Sequence, residues 1–230
     1  MSDFGYVKNN LISLLDEIRS LSEKSGQDVT LVAVTKSGSD EELIALAEAG
    51  ICDIGENRPG ELKRRGDMLS ERGFTPRLHE IGNLQRNKVK LIADKVDLIH
   101  SLDNLALAEE IDKQAKKIGR VIPVLLEINS GREPQKDGIM PEDAEEFLIK
   151  ARTFSGIKIV GLMTMGPVCD DPEDIRPYFR ETRKLYDRLN RAYRFDGGIL
   201  SMGMSDSYRI AIEEGATLVR VGRKLFNKDV

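Results

Sequence analysis

Phe4, Val7, Leu11, Leu14, Leu15, Ile18 and Leu21 recur three and four positions apart, a spacing that gathers them on one stripe of a helix. A helix is therefore predicted over about residues 4–24, ending before Gly26. The pattern then changes. Leu31 to Thr35 is a short apolar run that passes straight into Lys36, and a helical stretch from Asp40 to Ala49 follows, closed by Gly50 where a helix C-cap favours glycine. The same strand-then-helix unit recurs: CDIG with a helix from Pro59, RLHEIG with one from Leu84, DLIHSL with one from Asn104, and VIPVLLEIN with one from Pro141. Three more strands, IKIVGLMTM, GILSMGM and TLVRVG, are separated by a long helix through Tyr178–Tyr193 and a short one from Asp206 to Glu214.

Eight alternating units whose strands are apolar on both faces predict the α/β class and a closed parallel sheet, a (β/α)8 TIM barrel, in preference to an open doubly wound sheet. The expected organisation is one domain over residues 1–230, an extra N-terminal helix leading into a barrel over about 30–226.

Composition removes several function classes. With 32% charged residues and a formal charge of -4, the chain lacks the excess of cations that nucleic acid demands. Lys63, Arg64 and Arg65 form a local basic run, but Glu61 and Asp67 flank it, so it reads as a solvated helix face. No stretch is long and apolar enough to span a membrane, and the first twenty residues lack the apolar core of a signal peptide. A cytoplasmic protein is expected. Cys52 lies in an apolar run and reads as a buried thiol, Cys169 lies in a polar loop, and no disulfide or metal-ligand spacing is visible.

In a barrel of this kind the chemistry collects at the C-terminal ends of the strands. Lys36, Asn57, His79, His100, Asn129, Thr164, Ser201 and Arg220 all fall there. A lysine at an apolar mouth either snorkels to water or loses hydration, which raises the fraction of neutral amine able to attack a carbonyl. Met204-Ser205-Asp206 opens a predicted helix with Ser205 as its N-cap, and Gly222-Arg223 follows the last strand. Together these read as an anion cradle across the barrel from the lysine. An amine and an anion cradle suit an aldehyde that carries phosphate, and pyridoxal 5'-phosphate (PLP) fits both ends. Arg220 is either a rim salt bridge or a guanidinium facing the pyridine nitrogen, which would leave that nitrogen an unprotonated acceptor. A Schiff-base aldolase acting on a sugar phosphate would use the same lysine and cradle.

The stretches AVTK, DIGEN, HEIGNLQRNK, IHSLD, GLMTM, LSMGMSDSY and EEGATLVRVGRKLF, in this order, resemble the pyridoxal phosphate homeostasis proteins, the YggS and PROSC group. The resemblance implies a fold type III PLP-binding barrel of the alanine racemase type, with the cofactor held as an internal aldimine on Lys36. It implies Ser205, Gly222 and Arg223 at the phosphate, Arg220 at the ring nitrogen, Ser201 and Met204 lining the same strand end, and Asn57 and His79 near the ring. Asn57 reads equally well as a cap for the helix that begins at Pro59. Four positions depart from the group: Gly38 stands where many relatives carry a second lysine, Leu78 and Glu80 flank His79 where aromatics are common, and Arg223 stands in place of Thr or Ser.

The implied role is that of a non-catalytic carrier in vitamin B6 homeostasis, a monomer with PLP as ligand and PLP-dependent apo-enzymes as recipients. The alternative is a racemase-like enzyme. Racemisation needs a proton donor or acceptor on each face of the substrate carbon, and the lysine supplies only one. Of the five tyrosines, Tyr6, Tyr178, Tyr186 and Tyr193 fall on predicted helices, and Tyr208 reads as packing in the helix after Ser205.

Overall fold

Alternation of strand and helix closes on itself. The computed structural model describes residues 4–228, and its eight parallel strands form a closed barrel in sequence order. They are β1 (Thr30–Val34), β2 (Asp53–Glu56), β3 (Arg77–Glu80), β4 (Leu98–Leu102), β5 (Ile122–Glu127), β6 (Ile157–Met163), β7 (Ile199–Ser201) and β8 (Leu218–Val221). The helices are α1 (Gly5–Ser25), α2 (Asp40–Glu48), α3 (Pro59–Glu71), α4 (Leu105–Lys117), α5 (Ala144–Ala151), α6 (Arg176–Tyr193), α7 (Tyr208–Glu213) and α8 (Arg223–Phe226). Among the described residues no helix is long and apolar enough to cross a membrane.

Local chemistry explains the boundaries. Gly26 ends α1 in the left-handed conformation at φ 68°, which costs glycine nothing. Ser39 and Glu42 form a reciprocal capping box at the start of α2. Asn104 accepts the Leu107 N–H at 2.8 Å to start α4. Val7, Leu11, Leu14 and Ile18 are the buried stripe of α1, which packs on α2, α7 and α8.

Two elements differ from expectation. The segment after β3 is a 3-10 helix, Arg86–Leu91, not an α-helix from Leu84. Only Val89 of its six residues is buried, so it lacks the apolar stripe that holds an α-helix on the core. β7 stops at Ser201 because the chain turns at Gly203 (φ 93°), and α7 accordingly starts at Tyr208 rather than Asp206. Cys52 is exposed: it precedes β2, where alternation turns Asp53 inward instead.

The apolar side chains divide between two regions. A large cluster fills the space between strands and helices. Inside the barrel a small one, Val32, Leu98, Leu125, Val160, Met163 and Leu218, forms a floor. Because side chains alternate along a strand, residues two or four further on from Val32, Leu125 and Leu218 share their inward face. Among those residues are Val34, Lys36, Glu127, Asn129, Arg220 and Gly222.

Candidate functional site

A cavity of about 700 Å³ opens above that floor at the C-terminal ends of the strands. Of the residues singled out from sequence, Lys36, Asn57, Met204, Ser205, Arg220, Gly222 and Arg223 line it. His79 and Ser201 do not. Both are buried lower in the barrel, and His79 borders the opposite, N-terminal mouth.

Lys36 continues the inward face of β1 beyond Val34. It is exposed, not dehydrated, and forms no ion pair or hydrogen bond among the described residues. A second cavity lysine, Lys136, is committed to Glu133 at 2.5 Å. The loop that carries Lys36 is clamped from α3. Arg65 donates to the carbonyls of Thr35 at 2.5 Å and Gly38 at 2.7 Å, and to the Glu56 carboxylate at 2.6 Å. Arg65 is therefore buried and structural, whereas Arg64 and Lys63 beside it do pair with acids on a solvated face. A β-carbon on Gly38 would lie 2.5 Å from the Phe226 ring, so α8 closes the position where many relatives carry a second lysine.

The anion cradle differs in detail from the expected one. Ser205 is not an N-cap: it lies in the turn before α7, where its hydroxyl accepts the Gly222 N–H at 3.4 Å. Ser207 precedes α7 without a side-chain cap bond, its hydroxyl instead accepting the Met204 N–H in the turn at 3.1 Å. A β-carbon on Gly222 would lie 2.7 Å from the Val34 carbonyl oxygen, so glycine lets the end of β8 approach β1. β7, β8 and β1 are neighbours in the barrel, and the lysine stands beside the cradle, not across the barrel from it. Arg223 pairs with Asp206 on the exposed rim, which offsets its charge. Asn57 caps nothing, since the residue before α3 is Arg58 and makes no side-chain cap; its side chain faces the cavity mouth.

Arg220 is not a rim salt bridge. It is 4% exposed and donates to the Ser201 hydroxyl at 2.5 Å and the Thr164 carbonyl at 3.2 Å. Burial pushes its pKa down to about 10, with Glu127 opposing. Glu127 is a candidate site residue that sequence reading missed. It lines the cavity at the end of β5, and burial, reinforced by Asp103, pushes its pKa up to about 7 against the pull of Arg220. The signal was available: like Lys36, it is an ionisable residue ending an apolar strand on the inward face. No tyrosine of the described residues lines the cavity. Tyr208 is buried, with its hydroxyl accepting from Lys224 at 3.0 Å.

An amine without a counter-ion, a hydroxyl and backbone N–H beside it, a buried guanidinium below, and apolar walls from Val34, Ile81 and Met165 suit a flat aldehyde with a phosphate arm. Comparison with known proteins agrees. Residues 10–228 match the family described as alanine racemase, N-terminal domain. A pyridoxal phosphate homeostasis protein of Aquifex aeolicus is 40% identical over 221 residues, 95% of this chain and 96% of that protein. One from Helicobacter pylori is 35% identical over 230 residues, 99% and 100% of the two chains. The structure of PipY from Synechococcus elongatus with PLP bound superposes with a TM-score of 0.83 at 29% identity, covering 96% of this chain and all of that one.

Proposed function

The chain belongs to the pyridoxal phosphate homeostasis protein family, and on that premise we propose that it is a PLP carrier, one barrel domain that holds PLP through the Lys36 amine and acts in intracellular vitamin B6 homeostasis without turnover. The observation that carries this reading is the pairing of the lysines: Lys36 is free of counter-ions on the cavity wall, while Lys136 is tied to Glu133. Bound there, the group supplies an aldehyde that condenses reversibly with amines, and a carrier keeps that reactivity sequestered.

The residues divide the work. Lys36 offers the nucleophile, held in place because Arg65 fixes the carbonyls on both sides of it. The Ser205 hydroxyl and the Gly222 N–H would hold the phosphate, in place of the bond they share with each other. Arg220, a donor with no acceptor, would face the ring nitrogen and, by donating a hydrogen bond to it, would leave that nitrogen unprotonated. Among the described residues no tyrosine lines the cavity, which supports sequestration over two-base racemisation, a reaction that needs a proton carrier on each face. The protein is expected to act as a monomer, with PLP-dependent apo-enzymes as recipients; light scattering tests the first point.

Titration with PLP checks the reading. The wild type is expected to develop a visible absorption band, and Lys36→Ala to lose it while keeping its circular dichroism. A colourless wild type that instead traps a sugar phosphate on borohydride treatment would make the protein an aldolase. Exchange of an amino acid's α-hydrogen with inversion would make it a racemase.

A further inference from the structure

The interior of a (β/α)8 barrel is ordinarily filled by branched apolar side chains, yet here a line of polar groups runs through it. Arg77, half out in water at the N-terminal mouth, donates to Asp53 at 2.7 Å. Asp53 meets His79 Nε2 at 2.9 Å, His79 Nδ1 meets His100 Nε2 at 3.0 Å, and His100 Nδ1 meets the Ser201 hydroxyl at 3.1 Å. Ser201 meets Arg220 at 2.5 Å. Asp53, His79, His100, Ser201 and Arg220 are all buried.

The direction of every bond follows from Arg220. A guanidinium only donates, so the Ser201 oxygen accepts from it and the hydroxyl hydrogen goes to the other neighbour, His100 Nδ1. His100, held neutral by burial and by the nearby Arg220 guanidinium, then carries its hydrogen on Nε2 and donates to His79 Nδ1. His79 in turn donates from Nε2 to Asp53. Burial works against the Asp53 carboxylate, but the hydrogen bonds from His79 and Arg77 outweigh it and hold its pKa below the usual range. In the reverse arrangement His79 would donate to His100 and His100 to Ser201, and the Ser201 hydrogen would have no acceptor.

We propose that Asp53, His79, His100 and Ser201 form a one-way hydrogen-bond relay that positions Arg220 from the opposite mouth of the barrel. The relay rests on the reading that Arg220 faces the ring nitrogen of PLP. Asp53 anchors the line, each imidazole passes the orientation on, and Ser201 presents a lone pair to the guanidinium. The four are positioning residues; none touches the cavity except through Arg220.

The chain has two histidines, so nitrogen-15 NMR of labelled ligand-free protein resolves both rings. At neutral pH the relay predicts hydrogen on Nε2 and a bare Nδ1 in each. Hydrogen on Nδ1 of either ring overturns it. Spectral titration with PLP is the second arm. His100→Leu and Ser201→Ala should each weaken binding about fivefold, the loss of one buried hydrogen bond, and shift the visible band. The double variant should be no worse than Ser201→Ala, because the effect passes through Ser201. His100→Asn, which returns an acceptor near Nδ1, should restore most of the affinity. Wild-type affinity and band position in His100→Leu, or additive losses in the double variant, overturn the relay. A wild type that leaves PLP free overturns the proposed function instead, and the ring tautomers then decide the relay by themselves.

Discussion

The Gly222 N–H donates to the Ser205 hydroxyl, and on the proposed reading both groups would exchange that bond for the phosphate of PLP. Ser205→Ala removes one hydrogen bond to a charged oxygen and is expected to weaken PLP retention about tenfold, measured by equilibrium dialysis; unchanged retention would place the phosphate elsewhere. Lys36 was legible at this scale because a charge ending a buried strand breaks the pattern, and Glu127 breaks it in the same way. What alternation along one strand does not reveal is the partner on another. His79 lies on the inward face as its position implies, but its engagement by Asp53 and His100 depends on how β2, β3 and β4 are staggered, and so it was placed near the ring instead of beneath it. Ser205 is no cap for a related reason: Gly203 bends the chain early, and the helix begins only at Tyr208, with Ser207 at its cap position.

At the scale of elements, start and stop signals of the helices were well written in local chemistry, as at Gly26, the Ser39 capping box and Asn104. Irregularities that depend on a neighbouring strand were not. β5 and β6 shift register between Val124 and Leu125, next to Gly161. A β-carbon on Gly161 would fall 1.7 Å from the Ile199 carbonyl oxygen, so only glycine allows β6 and β7 to pair here. Gly161→Ala is expected to cost ~3 kcal/mol or more, read as a lower urea midpoint; a midpoint unchanged from the wild type would mean that the pairing of β6 with β7 is looser than described. Arg65→Met leaves the buried Glu56 carboxylate without its cation and should lower stability by a similar amount, but by freeing the Lys36 loop it should also raise the apparent Kd for PLP, which Gly161→Ala, at a distance from the cavity, does only if the fold gives way.

The whole molecule carries a pH signature. Burial pushes Glu80 up to about 8 and Glu127 up to about 7, both from the ordinary value of 4.5. Each is ionised in the unfolded chain before it is in the folded one, so the stability tied to the neutral form is complete below about pH 4.5 and is lost as pH rises through 7 and 8. The ligand-free protein should therefore melt several degrees lower at pH 8 than at pH 5, at ~3 °C per kcal/mol for a chain of this size, and Glu80→Gln should flatten that slope. A profile as steep in Glu80→Gln as in the wild type would remove Glu80 as its source. Closure of the barrel and the family were legible across the chain because eight strand–helix units and seven motifs all agree, whereas protonation depends on burial that only the assembled barrel defines. The central claim is that one lysine holds the ligand. Borohydride reduction of PLP-loaded protein, followed by peptide mass mapping, is expected to place a phosphopyridoxyl group on Lys36 and to leave Lys136 unmodified; the label on Lys136, or on no lysine, would contradict it.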